Sequence, residues 1–204
     1  MPPRKSARDF DPRLLELFDG YVHGAISKRD FLARAGAYTA AGVTAAAALE
    51  MLSPNYALAR QVEPEDPDIE TRRVEYASPE GHQNVQGLFA RPRGDGPFGA
   101  VLVVHENRGL NPYIEDVARR VAKAGYIALA PDGLSPLGGY PGNDDDGRAM
   151  QRELDPAKLL SDFFSGFEWV RDHALSNGKA GAVGFCYGGG VCNALAVAYP
   201  EMAC

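Results

Sequence analysis

Gly184-Phe185-Cys186-Tyr187-Gly188-Gly189-Gly190 follows an apolar, strand-like run from Lys179 to Phe185 and opens a helix-like run over 187–199. A G-x-[nucleophile]-x-G stretch between a strand and a helix describes a sharp elbow that lifts its central side chain above a sheet. The flanking glycines let the strand and helix backbones approach without a Cβ clash. The central residue here is Cys186. A helix N-terminus favours negative charge and so favours the thiolate, which is the nucleophilic form.

Reading outward from the elbow, the same alternation recurs. Gly99 to Val104 is a continuous apolar run of the buried-strand kind. The polar stretch His105-Glu106-Asn107-Arg108-Gly109 follows it. Asn111 and Pro112 then provide an N-cap and first position. Ile114, Val117, Ala118, Val121 and Ala122 repeat at helical spacing, and Gly125 closes that helix. Tyr126 to Ala130 reads as another buried strand, ended by Pro131-Asp132 and a long Gly-rich loop. Asp155-Pro156 caps a second long helix whose apolar face carries Leu160, Phe163, Phe164, Phe167 and Val170. Upstream, Arg72 to Tyr76 and Asn84 to Ala90 read as two strands around the turn 78–81. Strands alternating with helices predict an α/β fold, a mostly parallel sheet with helices on both faces. Its chemistry is expected at the C-terminal ends of the strands.

The stretches V-V-H-E-N-R-G, A-G-Y-I-A-L-A-P-D and V-G-F-C-Y-G-G-G together resemble the dienelactone hydrolase family of α/β-hydrolases, from about residue 72 to the end. The resemblance implies an α/β-hydrolase-type sheet, incomplete at the C-terminus. It implies Cys186 as nucleophile and Glu106 as the carboxylate that contacts the thiol. It also implies backbone N–H groups of Asn107 and Tyr187 as the oxyanion donors. The activity implied is hydrolysis of a small ester or lactone, with no metal and no organic cofactor.

Two features depart from that pattern. Founding members carry an arginine shortly after the P-D; here Gly133-Leu134-Ser135-Pro136-Leu137 follows, so a dienelactone carboxylate lacks that partner. Arg108 is read as a solvated loop residue, with anion binding as its alternative. Hydrolases of this fold place an acid and then a histidine after the nucleophile. Only 18 residues follow Cys186; they include Glu201 and no histidine, so the triad acid and histidine are absent from the chain. His105 is the only histidine placed near the elbow, and an improvised base there is the weaker reading. The strands expected beside 180–185 are missing too. That predicts an exposed apolar sheet edge open to self-association and a chain not expected to be a stable monomer. The ending Tyr199 to Cys204 falls where another strand would begin.

Residues 1–59 read as a leader. Ser27-Lys28-Arg29-Asp30-Phe31-Leu32 resembles a twin-arginine export motif with Lys28 in place of the first arginine. Ala35 to Leu49 is free of charge, and Ala57-Leu58-Ala59 is an A-x-A cleavage sequence. The expected location is periplasmic if that signal works and cytoplasmic otherwise; an Ala-rich helix packed on the domain is the alternative. Residues 60–71 form an acidic, Pro-rich stretch read as a solvated linker, and 72–204 form the N-terminal part of the hydrolase-like domain. The leader holds seven basic against six acidic residues, the rest 14 against 21, giving the net charge of −6. That balance offers no basic patch for nucleic acid, and the apolar runs are too weak for a stable membrane span. Three cysteines read as free thiols rather than a disulfide framework. Besides the hydrolase, the sequence leaves open an inactive truncated remnant and a non-enzymatic redox or ligand-binding thiol module.

Overall fold

The computed structural model describes residues 6–53 and 55–204; the first five leader residues, Pro54 and the Ala57 side chain of the A-x-A sequence lie outside the described residues. Two compact units divide at Asn55/Tyr56.

In the N-terminal unit, α1 (Pro12–Val22), α2 (Lys28–Ala35) and α3 (Ala45–Leu52) are each fixed by a side-chain cap. Asp11, Ser27 and Thr44 accept from backbone N–H groups of their first turns. The Ser27–Asp30 pair forms a capping box. Leu14, Leu17, Tyr21, Phe31 and Ala35 are buried together with Ala48 and Leu49. The residues read as an export motif therefore form a capped helix with Phe31 wholly buried.

In the second unit, α4 is a single turn, Tyr56–Ala59. A five-stranded sheet follows, made of β1 (Ile69–Ser78), β2 (Gln83–Pro92), β3 (Phe98–Val104), β4 (Ile127–Pro131) and β5 (Ser176–Gly184). The strand order is β1-β2-β4-β3-β5. β2 runs antiparallel to both of its neighbours, and β3 is parallel to β4 and β5, so four of the five strands point the same way. This is the α/β-hydrolase type of sheet the sequence led us to expect. Alternation along the strands splits the core in two. Leu102, Val104, Ile127 and Leu129 face α7 (Pro156–Arg171) and α8 (Tyr187–Ala198). Val103, Ala128 and Ala130 face α5 (Pro112–Lys123).

Four details correct the sequence reading. The first two strands are longer, ten residues each, because their full register pairs from Ile69–Pro92 to Ser78–Gln83. The Gly-rich loop after β4 contains a helix, α6 (Asp144–Gln151); Asn143 caps it and Asp144, Asp145 and Asp146 lie in its first turn, where the helix dipole favours acid. The stretch 60–71 is not simply solvated. Val62 is buried against the α5 face, the Gln61 and Val62 N–H groups donate to buried Asp116, and Arg119 Nε donates to the Val62 carbonyl. The β5 edge is in part covered: Ala203 N–H donates to the Ala180 carbonyl and Ala182 N–H to the Cys204 carbonyl.

Candidate active site

β3 and β5 run side by side, and the last pair in their register is Val104 with Gly184. Glu106 and Cys186 each lie two residues beyond that pair. The sheet's C-terminal end thus carries both into one neighbourhood. Cys186 is exposed and sits at φ 52°, ψ −109°, a backbone conformation that costs of order 1–3 kcal/mol outside glycine. The elbow is closed by Gly188 N–H donating to the Phe185 carbonyl and Gly189 N–H to that of Cys186. Its glycines are sterically demanded. A Cβ on Gly184 would lie 2.1 Å from the Gly188 carbonyl oxygen, and one on Gly188 would lie 2.6 Å from that of Val104. Tyr187 begins α8, where an N–H has no partner within its own helix. Its side chain is half-buried, and burial pushes its phenol up to about 12.

The loop after β3 is built by three buried groups. His105 is fully buried. Its Nε2 accepts from the Gly133 N–H at 3.0 Å, so Nδ1 carries the proton and donates to the Glu106 carbonyl. Burial holds its pKa below the ordinary imidazole value. Both ring nitrogens are committed, which excludes His105 as an improvised base. Asp132 ties three segments together: Oδ1 accepts from the Leu110 and Leu134 N–H groups and Oδ2 from that of Tyr140. Gly109, at φ +84°, passes so close to Leu134 that a Cβ would meet its side chain at 2.5 Å.

Arg108 is not solvated: its side chain is 15% exposed and Nη1 donates to Asp144 Oδ2 at 2.9 Å. α6 carries that carboxylate, and Gly147 on the same helix lets its backbone approach the Arg108 carbonyl, 2.3 Å from where a Cβ would stand. Asp144 also accepts from the hydroxyls of Tyr56 (2.6 Å) and Tyr140 (2.9 Å). Asn111 Oδ1 caps α5, while its Nδ2 donates to the Tyr56 hydroxyl at 3.3 Å and to Glu106 Oε2 at 3.2 Å. Sequence reasoning placed Cys186, Tyr187, Glu106 and Asn107 at this end of the sheet. It missed Tyr56, Asp132, Tyr140 and Asp144. The P-D after β4 and the Asn143-Asp-Asp-Asp run were the available signals for two of these; nothing local pointed to Tyr56.

Asn107 and Tyr187 line one cavity of about 190 Å³, with Leu154, Pro156 and Leu159 as its apolar wall and Arg148 and Gln151 beside them. An exposed thiol on a strained turn, with a helix N-terminus behind it and a small apolar cavity adjoining, is an arrangement suited to holding an acyl group.

Residues 85–203 match the model of the dienelactone hydrolase family, and residues 1–41 match a model described as YqhI-like. A candidate hydrolase fragment, YghX, of Escherichia coli strain K12 is 64% identical over 115 residues, 56% of this chain and 98% of the relative. A candidate carboxymethylenebutenolidase of Synechocystis sp. is 32% identical over 60% of this chain. The chain spans about half of that relative's length, 52%. Among solved structures, a candidate dienelactone hydrolase of Klebsiella pneumoniae aligns with TM-score 0.52 at 28% identity, over 65% of this chain and 57% of its own.

Proposed function

The chain belongs to the dienelactone hydrolase family, and from that premise we propose that it hydrolyses small carboxylic esters or lactones through a thioester on Cys186. The Cys186 thiolate attacks the carbonyl carbon and a C–S bond forms. The carbonyl oxygen, now negative, accepts hydrogen bonds from the Asn107 and Tyr187 N–H groups. The ester C–O bond breaks, the leaving alcohol takes up a proton, and the acyl group occupies the cavity that both residues line. Water then cleaves the thioester, releasing the acid and restoring the thiol. Glu106, which like Cys186 lies two residues beyond the last β3–β5 pair, is assigned the role of setting the charge environment of the thiol. Among residues 187–204 Glu201 is the one acid and there is no histidine, so the water step is not assigned to a residue of this stretch.

The observation that carries this reading is the left-handed φ of Cys186 between two glycines that no larger residue could replace. Surroundings that hold a non-glycine residue in that conformation are characteristic of functional sites. The test is acylation by p-nitrophenyl acetate, read as released p-nitrophenol and as acetyl mass on each cysteine peptide. Close to one equivalent of burst is expected, with acetyl on Cys186 forming about tenfold faster than on exposed Cys204, as thiolate activation requires. The burst is lost in Cys186→Ala. Equal labelling of Cys186 and Cys204 would overturn the reading and favour an inactive remnant.

A further inference from the structure

We propose that Tyr56 is a positioning residue of this site: through Asn111 and Asp144, its hydroxyl fixes the loop that carries Glu106 and Arg108 at the same end of the sheet as Cys186. The inference rests on the reading of Cys186 as nucleophile and goes beyond it, because it brings the turn before the linker into the working site. That turn, Tyr56–Ala59, overlaps the A-x-A sequence at which an export leader would be cut. In the structure it belongs to the same compact unit as the sheet.

The hydrogen-bond roles are fixed by elimination. Asp144, as a carboxylate, can only accept, so the single Tyr56 proton goes to it at 2.6 Å. The Tyr56 oxygen is then left as an acceptor, and Asn111 Nδ2 lies 3.3 Å away. The Asn111 amide cannot turn round, because its Oδ1 is held by the Tyr113 and Ile114 N–H groups at 3.1 Å each. Its second N–H therefore has Glu106 Oε2 as its partner, at 3.2 Å. The same Asp144 oxygen that receives the Tyr56 proton also receives Arg108 Nη1. One phenol thus closes a circuit whose two ends are the charged residues of the 105–109 loop. Burial and the Asp144 carboxylate raise the Tyr56 phenol well above its ordinary range, which keeps that proton in place.

Tyr56→Phe keeps the ring and removes only the hydroxyl. Asp144 then loses a donor and Asn111 an acceptor, so both supports of the 105–109 loop weaken together and the loop carrying the Glu106 carboxylate is free to shift toward the elbow. A nearer negative charge disfavours the thiolate. The experiment uses the full chain and measures iodoacetamide alkylation of each cysteine against pH by peptide mass spectrometry, with exposed Cys204 as the internal reference. Tyr56→Phe is expected to move the Cys186 midpoint up by at least about half a pH unit, with Cys204 unmoved. Asn111→Asp, which keeps the cap acceptor and loses the donor, moves it in the same direction. In a Glu106→Gln background, Tyr56→Phe has no further effect, a non-additivity that a merely structural tyrosine would not produce. An unchanged midpoint in Tyr56→Phe, or an equal shift with and without Glu106→Gln, overturns the inference. If Cys186 of the parent chain alkylates no faster than Cys204, the nucleophile reading itself fails and the inference falls with it, so the two failures are distinguishable.

Discussion

Cys186 holds a backbone conformation that glycine adopts freely and other residues adopt at a cost. That cost separates its structural role from its chemical one. Cys186→Gly is expected to raise stability by about 1 kcal/mol, read in thermal or denaturant unfolding, because the strain is released. Cys186→Ala keeps the strain and leaves stability near that of the parent. If both variants moved together, strain would not be stored at this residue. Gly188→Ala runs the other way: its methyl would press on the Val104 and His105 carbonyls, costing about 3 kcal/mol. His105 adds a pH signature. Burial depresses its folded pKa, so the neutral ring stabilises the fold fully above its unfolded value of about 6.5. That contribution is lost as pH falls through 6.5 toward the folded value. The thermal midpoint is therefore expected to decline between pH 7 and 5, and His105→Gln flattens that decline. An unchanged slope in the variant would remove His105 as its source.

Elements whose determinants are local were legible in the sequence. The apolar runs of β3, β4 and β5, the Asn111 and Asp155 caps, and the elbow all follow from residues within a few positions of one another. α6 was hidden because the glycines before it and Gly147 within it read as loop, although Asn143 followed by three aspartates is a helix-start signal. The docking of residues 60–62 was hidden for a different reason. An acidic, Pro-rich stretch has few apolar groups of its own, and here its order comes from a partner 54 and 55 residues away. Asp116 is that partner, so Asp116→Ala leaves two N–H groups of the docked segment without their acceptor. A loss of about 2 kcal/mol follows, together with faster proteolysis within 60–68. Stability within a few tenths of the parent would mean that this segment does not depend on Asp116. The site divides the same way: the nucleophile and the loop after β3 were readable, whereas the Tyr56–Asp144–Arg108 circuit joins three stretches that only the tertiary fold brings together.

At the scale of the whole molecule, the strand order puts β5 on the outside of the sheet, and that decides what its backbone can do. In a parallel strand, alternate residues direct both backbone groups to the same side. Gly181 and Val183 therefore serve the pairing with β3, while Ala180 and Ala182 face outward, as their bonds to Ala203 and Cys204 show. Those two residues satisfy only part of the edge, and a parallel β5 with apolar residues beside it is a template for a further strand. Proline at an outward-facing position removes an edge donor without breaking the ladder behind it. Ala182→Pro removes the donor that holds the Cys204 carbonyl against the edge, and is accordingly expected to keep the β3 ladder while uncovering the edge and raising concentration-dependent self-association in sedimentation velocity. A proline at 183 would cost the β3 pairing and the fold with it. Should Ala182→Pro associate no more strongly than the parent, the β5 edge would not be the associating surface, and exposed Val197 on α8 would be the next surface to change. The distinction bears on the chemistry, because the elbow stands at the end of this same strand.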